Sequence, residues 1–185
     1  MLPFSTRAAY DLTFRDDSQD IHSIPIWSSR VPTRVKIFAW LLFQGRLNCK
    51  INLLHKHIVS DAVCPRCGFD GEDTSHIFLN CPLAQRIWLR LGFTPSGGIE
   101  DLWACPTPAA TDHRVWNLVL LITLWKIWDS WNAMTFRQQD HYSITTLTNI
   151  VQDLMLWTHR MRKPEEKQAA SSWRSYLSSR LHVPM

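Results

Sequence analysis

Four residues of this chain have the types and the spacing to hold a metal ion. They are the two cysteines of Cys64-Pro65-Arg66-Cys67, then His76, then Cys81, a C-x2-C-x8-H-x4-C pattern. Two cysteines separated by two residues can turn both sulfurs toward one point. A His and a Cys one helical turn further on can close a tetrahedron. Zinc accepts four such N and S donors, with Zn–S near ~2.3 Å and Zn–N near ~2.0 Å. Four protein donors leave no open position, so the pattern points to one structural zinc per chain rather than a catalytic one. Three thiolates against Zn²⁺ leave one net negative charge, which Arg66 or Arg86 could offset. The competing readings are ordinary buried thiols beside a surface histidine, or a redox CxxC. A redox pair needs a strand–helix context, whereas Gly68, Asp70 and Gly71 follow here. Cys49 reads as a small core residue and Cys105 as a loop thiol. His55 and His57, two residues apart, fall on different helix faces and read as solvated.

The segments that must position these residues are helical in pattern. Ser5-Thr6 can cap a short helix through Tyr10-Asp11. From Val31, apolar residues at 31, 35, 38 and 42 repeat at helical spacing, with Pro32 suited to the first turn and Gly45 to the stop. Asn48 can cap a second helix that runs to His57. Residues 60–75 lose this periodicity and gain two glycines, a proline and four acids around the first two cysteines. Pro82 restarts a helix that ends at Gly92. Asp112 caps the longest helix, expected to reach about Arg137. Another is expected from Ile144 to Arg160.

The expected architecture is therefore mainly α: a small zinc-stabilised helical domain with a Cys/His knuckle, followed by a Trp-rich helical segment. Its divisions fall at 1–24 (lead-in helix and loop), 25–92 (zinc-binding domain), 93–112 (linker), 113–162 (helical segment) and 163–185 (flexible tail, in which Trp173, Tyr176 and Leu177 could dock).

Composition bounds the function. The chain has 185 residues, 45% of them hydrophobic and 19% charged, with ten Trp, five Cys and a net charge of +4. That is enough apolar surface for a core and argues against disorder. It is too short for a polymerase, a kinase or a TIM-barrel enzyme. Five cysteines, an odd number, suit reduced thiols or a metal better than a disulfide framework. With no secretory signal, the expected location is intracellular, in nucleus or cytoplasm. The longest apolar run, Val115 to Trp128, is too short for a bilayer and holds Asn117, Thr123 and Lys126. The positive excess is local: residues 22–91 carry nine basic and four acidic side chains, whereas residues 92–185 are nearly balanced. Phe14-Arg15-Asp16-Asp17 mimics a polymerase aromatic-x-Asp-Asp, but no palm-sized region surrounds it, so it reads as an acidic loop. No catalytic residues are expected.

Together these residues carry a family resemblance. The run from Trp27 through Arg30-Val31-Pro32 and Lys36-Ile37-Phe38 to Trp40, then Gly45-Arg46-Leu47, the Cys/His set with His76-Ile77-Phe78 and Cys81-Pro82-Leu83-Ala84, and Trp88 resemble the zinc-binding domain of plant non-LTR retrotransposon reverse transcriptases. Phe4-Ser5-Thr6-Arg7 through Tyr10 resembles its lead-in. Leu124-Trp125-Lys126-Ile127-Trp128 and Asn132-Ala133-Met134-Thr135-Phe136 resemble its follow-on segment, where Arg usually precedes the Asn; here the residue is Trp131. The resemblance implies zinc binding and nucleic-acid association by a domain that follows a polymerase in a longer polyprotein.

Candidate phosphate contacts are Arg34, Lys36, Arg46, Lys50, Arg66 and Arg86, with RNA or single-stranded DNA as the partner. Phe69 and Phe78 are candidate stacking residues that could equally pack against the zinc turn. The Trp-rich helix (Trp116, Trp125, Trp128, Trp131) reads mostly as core, and as a protein-partner surface if it lacks cover. The alternative function is a structural or protein-interaction remnant in which zinc only stabilises the fold.

Overall fold

A computed structural model describes residues 22–92, 94–139 and 143–181. The lead-in helix and the Phe14-Arg15-Asp16-Asp17 stretch lie outside them. The described residues form α-helices and short turns, with no strand among them. In order these are α1 (Ser23–Ser28), α2 (Thr33–Phe43), α3 (Lys50–His55), a wide π turn (His76–Asn80), α4 (Pro82–Leu91), 3-10 turns at Glu100–Ala104 and His113–Val115, α5 (Trp116–Arg137), α6 (Ser143–Thr158) and α7 (Pro164–Leu181).

α5 is the spine. Every residue from Leu118 to Leu124 is buried, so this helix is apolar all round and must be covered on all sides. α2, the π turn and α1 cover one part of it and α6 another. α6 then packs on α7 and α4, burying Leu147, Ile150, Leu154 and Trp157 along one stripe. No helix among the described residues is long and apolar enough to cross a membrane.

Tryptophans tie the layers together through their ring N–H groups, which must find acceptors once buried. Trp88 donates to the Phe78 carbonyl at 2.7 Å, Trp116 to that of Leu102 at 3.2 Å and Trp173 to that of Asp112 at 2.8 Å. Trp125 and Trp128 meet Phe38 of α2, with centroids 5.3 and 6.0 Å away. Trp116 and Trp131 are thus buried within the chain, and Trp125 and Trp128 are partly covered.

Local stop signals act much as their chemistry requires. α2 ends in a Schellman turn, with Arg46 N–H on the Leu41 carbonyl and Gly45 N–H on that of Leu42. Asp112 accepts from Arg114 N–H and so caps the 3-10 turn that leads into α5, rather than α5 itself. Asn48 does not cap α3. Cys49 holds that position, and the Asn48 side chain instead accepts from Lys56. Pro32 sits one residue before the first turn of α2.

The largest departure is the C-terminal segment. The chain past Pro164, expected to be loose, is the helix α7. Its polar composition hides a narrow stripe of Ala169, Ala170, Trp173 and Leu177, all buried. Pro164 opens the helix and Glu165 and Glu166 lie in its first turn, where the dipole favours acids. The linker is also partly ordered, since Leu102 of the 3-10 turn is buried under Trp116.

α7 also seals the end of α4. Gly92 ends α4 with φ +90°, and a Cβ there would overlap the Tyr176 hydroxyl and Arg180 of α7. A non-glycine residue in that left-handed region costs of order 1–3 kcal/mol before any clash. Gly92→Ala is therefore expected to destabilise the fold by at least about 2 kcal/mol, measured by urea denaturation. An unchanged midpoint would contradict this packing.

Candidate metal centre

The knuckle is built by short-range hydrogen bonds. Gly68 N–H bonds to the Cys64 carbonyl at 2.9 Å, and Cys64 N–H returns to the Phe69 carbonyl at 2.8 Å. Gly68, at φ +76°, makes that reversal without a Cβ penalty. The chain then turns at Gly71 into a helical turn beginning at Thr74. The Asp73 carboxylate opens this turn by accepting from His76 N–H at 2.6 Å. The π turn carries His76 round to Cys81, and Cys81 stands at the start of α4.

This backbone brings Cys64, Cys67, His76 and Cys81 together, with all four donor atoms within 4.8 Å of one another. Cys67 Sγ and His76 Nε2 are 3.3 Å apart, so Nε2 faces the cluster. Donors around a tetrahedral zinc at the bond lengths above stand roughly 3–4 Å apart, so only a small closure separates this arrangement from a filled site.

The electrostatics suit a cation held by thiolates. A backbone N–H favours the thiolate at each sulfur: Arg66 at Cys64, Phe69 at Cys67 and Leu83 at Cys81. Cys64 and Cys81 hydrogen-bond to each other. That bond pulls the Cys81 thiol down to about 7, and it pushes Cys64 up, with burial adding to the rise. Burial raises Cys67. Burial lowers His76, favouring the neutral imidazole that binds metals. Arg66 curls under the site. Its Nη2 donates to the Ile77 carbonyl at 3.0 Å, while Nε and Nη1 are buried without a hydrogen-bond partner. Orphaned guanidinium N–H groups beside three sulfurs match a centre that carries net negative charge when zinc is bound. The residues therefore fit the metal.

Access is one-sided. Cys64 and Cys81 are buried, whereas Cys67 is exposed on an open groove of about 650 Å³. Phe69 lies half in solvent and stacks on the His76 ring, 4.6 Å between centroids. Phe78 is fully buried against Phe38 and Trp128 and is not available to a ligand. Of the cysteines outside the cluster, Cys49 is core, and Cys105, expected in a loop, is buried as well.

Sequence reading missed Glu72. It is completely buried, and its Oε1 accepts from Trp131 Nε1 of α5 at 2.8 Å and from Lys50 N–H at the start of α3 at 3.4 Å. Its Oε2 is buried without a partner that meets hydrogen-bond geometry, yet the carboxylate stands close enough to Cys64 to raise its thiol. Its backbone also joins the segments, with N–H on the Ala62 carbonyl and C=O receiving Ile51 N–H. Glu72 lies four residues before His76 in a run of acids, and only its distant partner distinguishes it.

The six candidate phosphate contacts have different surroundings. Arg34 lies over the Trp125 ring at 5.7 Å, whereas Lys36, two residues along α2, donates to the Trp27 carbonyl. Arg46 lies over Trp40 at 6.0 Å. Arg86 is exposed on α4, Lys50 is half-buried at the start of α3, and Arg66 is turned inward.

Comparison with known proteins agrees with this geometry. Residues 4–88 match the family described as zinc-binding in reverse transcriptase. Over 137 residues the chain is 25% identical to an Arabidopsis thaliana protein named "Putative ribonuclease H protein". The match covers 68% of this chain and 22% of that relative, so the chain spans about a fifth of the relative's length. No solved structure matches. The Cys/His cluster thus assembles inside the segment, residues 4–88, that is similar to the zinc-binding family of reverse transcriptases.

Proposed function

We propose that this chain is a non-catalytic zinc-binding module, derived from a retrotransposon reverse transcriptase, that binds single-stranded nucleic acid weakly. The observation that carries the reading is the meeting of Cys64, Cys67, His76 and Cys81 inside a segment of a zinc-binding family. Three thiolates and one imidazole supply a complete tetrahedron, which makes the metal a staple rather than a Lewis acid. When bound, zinc cross-links the knuckle to the start of α4. The Arg66 charge and the Leu83 N–H favour the thiolate at Cys81, and the bound cation would draw the protons off Cys64 and Cys67. Exposed Arg34, Arg46 and Arg86 supply cations for a phosphate backbone. The ribonuclease H in the relative's name belongs, in this reading, to the larger part of that protein which this chain does not span.

Elemental analysis of protein purified without added metal is expected to give one zinc per chain, and Cys81→Ser is expected to abolish it. Well under one equivalent in the unmodified protein would overturn the zinc assignment. Binding to single strands should be micromolar or weaker and should fall steeply with salt. Binding indifferent to salt, or none at low salt, would favour the interaction-remnant reading.

A further inference from the structure

The start of α2 and the end of α6 face each other across a cleft of about 630 Å³, lined by Pro32, Arg34, Leu156, Trp157, His159 and Arg160. A smaller hollow adjoins it, reached by Arg30 on one side and Met161 on the other. Folding thus gathers Arg30, Arg34, His159 and Arg160 from two distant stretches of chain. No acidic residue lines the main cleft. Asp153, one turn before Trp157, is already paired with Lys126 at 2.9 Å. Glu166 lines only the smaller hollow. None of the ion pairs among the described residues uses Arg30, Arg34 or Arg160. The Trp125 ring under the Arg34 guanidinium holds that side chain in place, so less freedom is lost on binding. Arg162 and Lys163, next along the chain, are exposed.

We propose that this cleft, rather than the surface of the Cys/His knuckle, is the phosphate-backbone site for single-stranded nucleic acid. Arg34 and Arg160 are its paired phosphate contacts, and Arg30 extends the track. The proposal rests on the nucleic-acid reading above and gives that reading a location. The knuckle is the poorer surface, because its Arg66 is turned inward onto the Ile77 carbonyl. Arg160 lies outside the segment that matches the family, so binding would draw on the helical segment as well as the zinc domain.

The test is a salt titration of the full, zinc-loaded chain against a fluorescent oligo(U) strand, from about 50 to 200 mM salt. The variants are Arg34→Ala/Arg160→Ala, Arg34→Lys/Arg160→Lys and Arg46→Ala/Arg86→Ala, each checked for zinc content and helicity. All four positions are exposed, so folding should survive. The cleft alanine pair should weaken binding on the order of tenfold and flatten the salt slope by about 1.4, two single-strand contacts. The lysine pair should keep the parent's salt slope but bind between the parent and the alanine pair, because Lys does not stack on Trp125 as Arg34 does. Arg46→Ala/Arg86→Ala should change affinity less than the cleft alanine pair. Equal binding by the parent and the cleft alanine pair overturns the location while leaving nucleic-acid binding standing. No binding by the parent even at low salt overturns both. Displacement of oligo(U) by polyglutamate at equal charge overturns the nucleic-acid assignment in favour of an acidic protein partner.

Discussion

Stripping zinc with a chelator, or replacing Cys64 with Ser, is expected to unfold residues 60–91 and to leave much of α5–α7 helical. Cys64 is 1% exposed and opens the knuckle, so it has no freedom to be replaced by another donor. Without the metal, the two buried sulfurs, Cys64 and Cys81, have only each other as side-chain thiol partners beside exposed Cys67. Residues 60–71, which carry the first two cysteines, form no helix, and their own backbone bonds are the reversals around Gly68 and the Glu72 N–H on the Ala62 carbonyl. Structural zinc in small peptides contributes on the order of 10–16 kcal/mol. A loss of that order exceeds the whole stability of an ordinary domain, about 5–15 kcal/mol. Ile77, Phe78, Ala84, Ile87 and Trp88, all buried and all downstream of the first cysteines, would lose their fixed positions. The second half has its own anchors: Trp116 stacks on Trp173 at 5.8 Å, and α6 packs on α7. Hydrogen exchange should therefore show protection lost across 60–91 and retained around Leu120, Leu154 and Trp173. Unchanged thermal stability after complete zinc removal would contradict the staple role.

What the sequence disclosed follows the range of the interactions. The cluster was legible because C-x2-C and H-x4-C are local geometries, and only eight residues separate the pairs. α5 was legible because a long, mostly apolar run has few destinations other than the centre of a helical protein. α4 was legible from Pro82 and Gly92, which act on their own backbone. Features decided at long range were not. The four acids at 61, 70, 72 and 73 look alike in sequence, yet only Glu72 meets an indole 59 positions away. Arg34 and Lys36 look like one wet face of α2, but two residues is more than half a turn. One therefore reaches Trp125 and the other Trp27. α7 was hidden because four buried side chains in an 18-residue helix barely raise its apolar content, and two of them are alanines. Asn48 was outcompeted as a cap because Glu72, from another loop, already serves the first N–H of α3.

Trp131→Phe is expected to cost about 3–5 kcal/mol, out of proportion to the atoms removed. Both Trp131 and Glu72 are completely buried, and the indole N–H is the shortest hydrogen bond reaching the carboxylate. Removing it leaves Glu72 with only the long contact from Lys50 N–H, in a place where water cannot substitute. A buried acceptor stripped of its donor pays its full desolvation cost, and a charged one pays most. The benzene ring would still stack on Trp128, now 4.7 Å away, so lost packing is the smaller part. The neutral indole supplies the hydrogen bond but brings no charge. Two controls separate charge from packing. Glu72→Gln keeps an acceptor for Trp131, gives Cys64 an amide neighbour and removes the buried charge, so it should cost about 1 kcal/mol or less. The double variant should then be more stable than the sum of the single losses predicts, by roughly 2 kcal/mol in a double-mutant cycle. The position also joins the two halves of the chain, since Trp131 lies on α5 and Glu72 lies between the ligands Cys67 and His76. Trp131→Phe should therefore loosen the zinc site from outside the matched segment, read as faster metal transfer to a chromogenic chelator. Additive losses and an unaltered transfer rate would reduce Trp131 to an ordinary core residue.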